Sequence, residues 1–161
     1  MNAQDKFRRL VLNKFKFGLF MLKELPSAFF SGVRVREISD ERSRVSIPYK
    51  FLTKNPFRSV YFASQAMAAE LSTGILVLSQ INGIKPDISM LVFDMKANFT
   101  KKATSKLTFE CIEGQKIKDA VDLCIKNQEG VTVEVKSIGK DKVGDIVSEF
   151  YFTWSFKQKS S

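Results

Sequence analysis

The chain has 161 residues, enough for one domain with a full core and too few to expect two. Its 44% apolar and 27% charged residues are globular proportions, and its formal charge of +9 favours polyanionic partners, but Lys and Arg are scattered with no dense basic run and no aromatic interleaving, which argues against nucleic-acid binding. No histidine is present, and Cys111 and Cys124 stand alone without a CxxC, which excludes Ser-His-Asp and Cys-His hydrolysis, argues against any metal centre, and predicts reduced thiols in a cytoplasmic protein.

Residues 4–24 read as one amphipathic helix. Phe7, Leu10, Val11, Phe15, Leu19 and Leu22 recur at helical spacing among Lys6, Arg8, Arg9, Lys14, Lys16 and Lys23. Two readings are open for it, a lid packed on the domain by its apolar stripe or a helix that meets a membrane surface or a partner. Lys14 and Lys16 interrupt the apolar run that a signal peptide needs, and Pro26 ends the helix. Strands are expected near 33–39 and 42–49, joined by the polar turn Ser39-Asp40-Glu41.

Asn55-Pro56 then has the chemistry of a helix start, since Asn caps free amides and Pro fits a first turn. The stretch that follows is the centre of the chain. Between Ser59 and Ile84 the only charge is Glu70, and small and large apolar residues fall on every side of a 3.6-residue spiral. A helix apolar all round must be enclosed. An ionised carboxylate inside it costs several kcal/mol unless paired, so Glu70 is either a satisfied structural group or a working one. No apolar run is long enough to cross a bilayer, because Gln65, Glu70 and Gly74 interrupt this one.

The rest of the chain is mostly strand. In 87–100, Leu91, Phe93, Met95, Ala97 and Phe99 alternate with polar neighbours, and a strand over 103–112 is expected to return directly after Lys101-Lys102. Ile117, Ala120, Val121 and Cys124 place a short helix over 115–127, with Gly130 after its end. Strands near 131–139 and 144–157 close the chain, the last with Phe150, Phe152, Trp154 and Phe156 on one face. This order predicts an α+β fold, an antiparallel sheet whose aromatic face covers the central helix.

With Asn55 to Ala63 and Ala69 to Gly74 set on that strand order, the sequence resembles a hotdog-fold thioesterase close to the phenylacetate-degradation type of acyl-CoA thioesterases. The resemblance covers 30–157 as the hotdog core, with 1–28 a helical extension. The family pattern places an Asn, six residues later a His and two Gly, and nine residues past the His an Asp or Glu; Asn55, Tyr61, Phe62-Ala63 and Glu70 occupy these positions, so the spacing matches and the His-Gly-Gly does not. The resemblance implies Glu70 as general base or nucleophile on an acyl-CoA or acyl-carrier thioester. Amides near Phe62-Ala63 polarise the carbonyl, Asn55 positions water or substrate, and the site lies between the subunits of a homodimer or a dimer of dimers. No cofactor is implied.

The residues themselves allow this chemistry. Desolvation raises the pKa of a carboxylate in an apolar helix, and a helix start offers donors for an oxyanion. Thr73 could orient the Glu70 carboxylate, Gly74 could leave room for an acyl chain, Tyr61 keeps a hydroxyl donor, and Lys101, Lys102, Lys140 and Lys142 could meet phosphates or solvent. The alternatives are a non-catalytic acyl or lipid binder of the same fold, and a membrane-associated module using the basic helix.

Overall fold

A computed structural model describes residues 2–159. Three helices open the chain, α1 (Ala3–Leu12), α2 (Lys14–Glu24) and α3 (Pro26–Ser31), where the sequence predicts one. Asn13 makes the break. Its backbone is extended, its N–H closes α1 on Arg9 and Leu10, and its side chain accepts from the Lys16 amide to cap α2. Pro26 begins α3 as its first residue, because a missing N–H costs nothing there.

The break changes which side of the segment faces the protein. Val11, Phe17 and Met21 are buried, whereas Leu10, Phe15, Leu19 and Leu22 of the expected packing stripe are exposed. The segment therefore packs by the expected stripe in α1, through Phe7 and Val11, and by a different face in α2.

The strands β1 (Arg34–Ile38) and β2 (Ser43–Ile47) form the expected hairpin. A 3-10 turn at Phe51–Thr53 leads to the central helix α4 (Phe62–Ile81), followed by β3 (Ile88–Phe99), β4 (Leu107–Cys111), α5 (Gly114–Asn127), β5 (Val131–Lys140) and β6 (Ile146–Gln158). All pairings are antiparallel, in one six-stranded sheet of order β1-β2-β4-β5-β6-β3. α4 packs across β2, β4, β5 and β6, and α5 packs against α4, β5 and β6. This is the hotdog arrangement, a sheet curled around one long helix.

Two strand expectations are corrected. β4 does not return beside β3; it pairs with β2 and β5, while β3 pairs with β6 and forms a sheet edge. Residues 100–106 carry the chain across, tied down where Thr100 donates to the Val147 carbonyl and Val60 to that of Ala103. Within β3, Val92 opposes Trp154 and Asp94 opposes Thr153, so Phe93 is an extra, bulged residue. A bulge reverses the alternation, so Met90 and Val92 share the helix-facing side with Met95, Ala97 and Phe99, while Leu91 lies on the other.

The core is aromatic along β6: Phe150, Phe152, Trp154 and Phe156 are buried, and Phe109 and Phe150 meet edge-on at 5.8 Å. The small residues of α4 let strands approach closely and then bond to them. Ser72 Oγ lies 2.7 Å from Ser137 Oγ, and Ser43 Oγ donates to the Ser72 carbonyl. Gln65 donates to the Val60 carbonyl at 3.0 Å and accepts from Ser148 Oγ at 2.8 Å. Such bonds remove the cost of burying polar groups in an apolar helix.

Candidate functional site

Glu70 lies on α4 where one stripe of the helix, Ala63, Ala66, Met67 and Glu70, is only half-buried. No Lys or Arg pairs with its carboxylate and no donor reaches it among the described residues. Burial alone pushes its pKa up. Because no buried side-chain oxygen lacks a partner among the described residues, the unpartnered carboxylate must reach open space. It does so in a cleft of about 250 Å³, walled by Met67 and Leu71 of α4 and by Glu24 to Ala28 at the joint between α2 and α3.

The neighbours expected to serve Glu70 are placed differently. Thr73 Oγ1 donates to the main-chain carbonyl of Glu70 at 3.0 Å and accepts from Trp154 Nε1 at 3.0 Å, so it holds the helix to β6 and does not bond the carboxylate. A Cβ on Gly74 would stand 3.2 Å from both Glu70 Oε1 and the Trp154 ring. The Glu70 carboxylate and the Trp154 ring therefore both crowd the space over Gly74, where an acyl chain is expected.

Asn55, Tyr61 and Phe62 line a second cleft, of about 600 Å³, with Phe57, Phe99 and Lys102. Asn55 does not cap α4, which starts at Phe62. Its Oδ1 instead accepts from the amides of Phe57 and Ser59 and from Ser59 Oγ, each at 3.1 Å, and closes the loop before the helix. Tyr61 is the actual cap residue and contributes no side-chain bond, so the first amides of α4 remain open. Phe62 packs edge-on against Tyr61 at 4.9 Å and Phe99 at 6.4 Å, and Ala63 is half-buried on the open stripe.

Within one chain these two groups do not meet. Eight residues separate Phe62 from Glu70, about 12 Å along a helix axis. Lys101, expected to meet phosphates, is engaged at 2.7 Å by Asp141 and 2.6 Å by Asp145, whereas Lys102 remains on the cleft wall. Two contributors escape sequence reasoning. Trp154 is legible only as core, and Gln65 only as a break in an apolar run; Gln65 lines the larger cleft and Trp154 lies behind Gly74 and Thr73, placements that periodicity does not encode.

The model of DUF4442, a domain of unknown function, matches residues 17–156. The chain belongs to the DUF4442 family. Solved structures similar to this DUF4442 chain include a Pseudomonas aeruginosa protein of unknown function described as a probable thioesterase, at 17% identity and TM-score 0.73 over 98% of this chain and 97% of that one. A Chlorobaculum tepidum protein of unknown function matches at 10% identity and TM-score 0.76 over 97% and 94%. A Haemophilus influenzae thioesterase matches at 12% identity and TM-score 0.62 over 89% and 90%. No curated protein matches the sequence. The likeness establishes the hotdog fold of this DUF4442 member.

Proposed function

We propose that this DUF4442 protein hydrolyses an acyl thioester, with acyl-CoA as the expected class and Glu70 as general base. The observation that carries the reading is the Glu70 carboxylate itself: desolvated, without a cation or a donor, and open to a cleft. Such an arrangement costs stability, and a raised pKa suits a carboxylate to take a proton from water. The descriptions of the Pseudomonas and Haemophilus neighbours support the same chemistry on the same fold.

In the proposed reaction Glu70 removes a proton from water, whose oxygen attacks the thioester carbonyl carbon. The resulting oxyanion is met by main-chain N–H groups, the C–S bond breaks, and the thiolate leaves with the proton from Glu70. Open amides at the start of α4 are suitable donors, but the same chain holds them about 12 Å away. A homodimer resolves this by setting the α4 start and Asn55 of one copy against Glu70 of the other. The long free edge of β3, with Leu91 at 67% and Phe93 at 72% exposure, supports such pairing. The Nδ2 of Asn55, which makes no bond in its own loop, then serves water or the carbonyl.

The test is thiol release from a panel of acyl-CoAs by the wild type and Glu70→Gln. Release that the substitution abolishes, with a wild-type rate rising with pH as Glu70 ionises, is expected. No release by concentrated wild type overturns the hydrolase. The separation of the two clefts within one chain favours acyl binding without turnover as the second reading, and calorimetric binding of acyl-CoA without release would select it.

A further inference from the structure

α2 is turned inside out for a helix on a soluble surface. Phe17 and Met21 are buried, while on the opposite side Phe15 is 81% and Leu19 61% exposed, with Leu22 beside them. The apolar surface continues: α2 packs on α3, whose Phe30 is exposed, and α3 packs on the 3-10 turn carrying exposed Phe51 and Leu52. Lys50 Nζ donates to the Phe30 carbonyl at 2.9 Å and Lys54 Nζ stands 5.0 Å from the centre of the Phe51 ring. Cations thus border the aromatics directly.

The charge of the molecule is concentrated in the same part of the chain. Residues 1–58 hold 13 Lys and Arg against five Asp and Glu, which is +8, while residues 59–161 hold 13 against 12, which is +1; together these make the +9 of the whole. Of that charge, α2, α3 and residues 50–54 carry Lys14, Lys16, Lys23, Lys50 and Lys54 against Glu24, a net +4. A second copy of this chain is a poor occupant for the side bearing Phe15, Leu19 and Phe51, because a two-fold contact there would set these lysines against each other. An apolar stripe bordered by lysines is instead complementary to a layer that is anionic at its surface and hydrocarbon beneath. No helix among the described residues is long and apolar enough to cross a membrane, so the contact is with the surface and not a span.

We propose that α2, α3 and the Phe51 turn form a docking face for an anionic lipid bilayer, with Phe15, Leu19, Phe30 and Phe51 entering the headgroup layer and the surrounding lysines resting on lipid phosphates. The α2–α3 joint also walls the cleft that holds Glu70, so the docking face borders the candidate site. The docking face stands whether or not Glu70 is catalytic.

The test is co-sedimentation of the full chain with phosphatidylcholine vesicles made with and without phosphatidylserine. Binding to the serine-lipid vesicles alone, weakened by high salt, is expected. Phe15→Ser with Leu19→Ser, at positions too exposed to carry the fold, lowers the partition coefficient at least about tenfold with an unchanged melting temperature. Neutralising Lys14 and Lys16 with Gln lowers it about fivefold per charge, whereas Lys126→Gln on α5 leaves it unchanged. Equal sedimentation with both vesicles, no sedimentation with either, or full binding by the Phe15→Ser, Leu19→Ser protein overturns the proposal.

Discussion

Replacing Glu70 by Gln tests the physical premise of the site without any substrate. Gln keeps the shape of the side chain and never ionises. The folded protein raises the pKa of Glu70 through burial, so below the ordinary carboxylate range both folded and unfolded chains are protonated and the group is harmless. As pH rises, the unfolded chain releases its proton first, the folded chain holds the extra one, and stability falls until the raised pKa is passed. Above it the whole penalty persists, about 1.4 kcal/mol for each pKa unit of the rise. In a chain of 161 residues each kcal/mol moves the melting temperature by about 2–4 °C. Thermal unfolding followed by circular dichroism is therefore expected to show Glu70→Gln near wild type around pH 4 and clearly more stable around pH 8, by about 2–4 °C for each kcal/mol relieved. A variant that melts below wild type at the higher pH would falsify the premise, because it would mean that the charged form is held by a partner.

Other outcomes check the fold and assembly around the site. Gly139→Ala places a Cβ 2.5 Å from Phe109 Cε1 and 2.8 Å from Ser148 Oγ, both buried, and the melting temperature should drop by roughly 5–10 °C for the 2–3 kcal/mol of overpacking. Burial pushes the Cys111 thiol up to about 11, so mass spectrometry should find it unalkylated by iodoacetamide at mildly alkaline pH unless the protein is unfolded. Leu91→Lys with Phe93→Lys should convert a dimer to monomers by light scattering; a wild type that already runs at the mass of one chain would dismiss pairing through β3.

Local patterns were informative wherever local physics decides the result. The enclosed helix, the strand alternation in β6 and the short helix of 115–127 follow from apolar periodicity, which is a property of neighbouring residues. The same logic failed at Asn13, where one side-chain cap divides a continuous amphipathic pattern into two helices and turns the α2 part of its stripe to solvent. It failed again at Phe93, where a single bulged residue reverses the faces of β3.

The candidate site divides in the same way. That Glu70 is a lone charge in an apolar helix is visible in the sequence, and so is the spacing from Asn55 through Tyr61 to Glu70. That Thr73 answers to Trp154 and that the same indole crowds Gly74 depend on residues about 80 positions apart in the chain, whereas Asn55 closes its loop locally, on Phe57 and Ser59. The sequence alone determined which groups are expensive to bury and which segments must be covered, because transfer from water is a cost each side chain carries wherever it lies. Only the tertiary structure decided which partners relieve that cost and which surfaces stay open, because strand pairing and helix docking are settled between distant segments through the cooperative filling of one core.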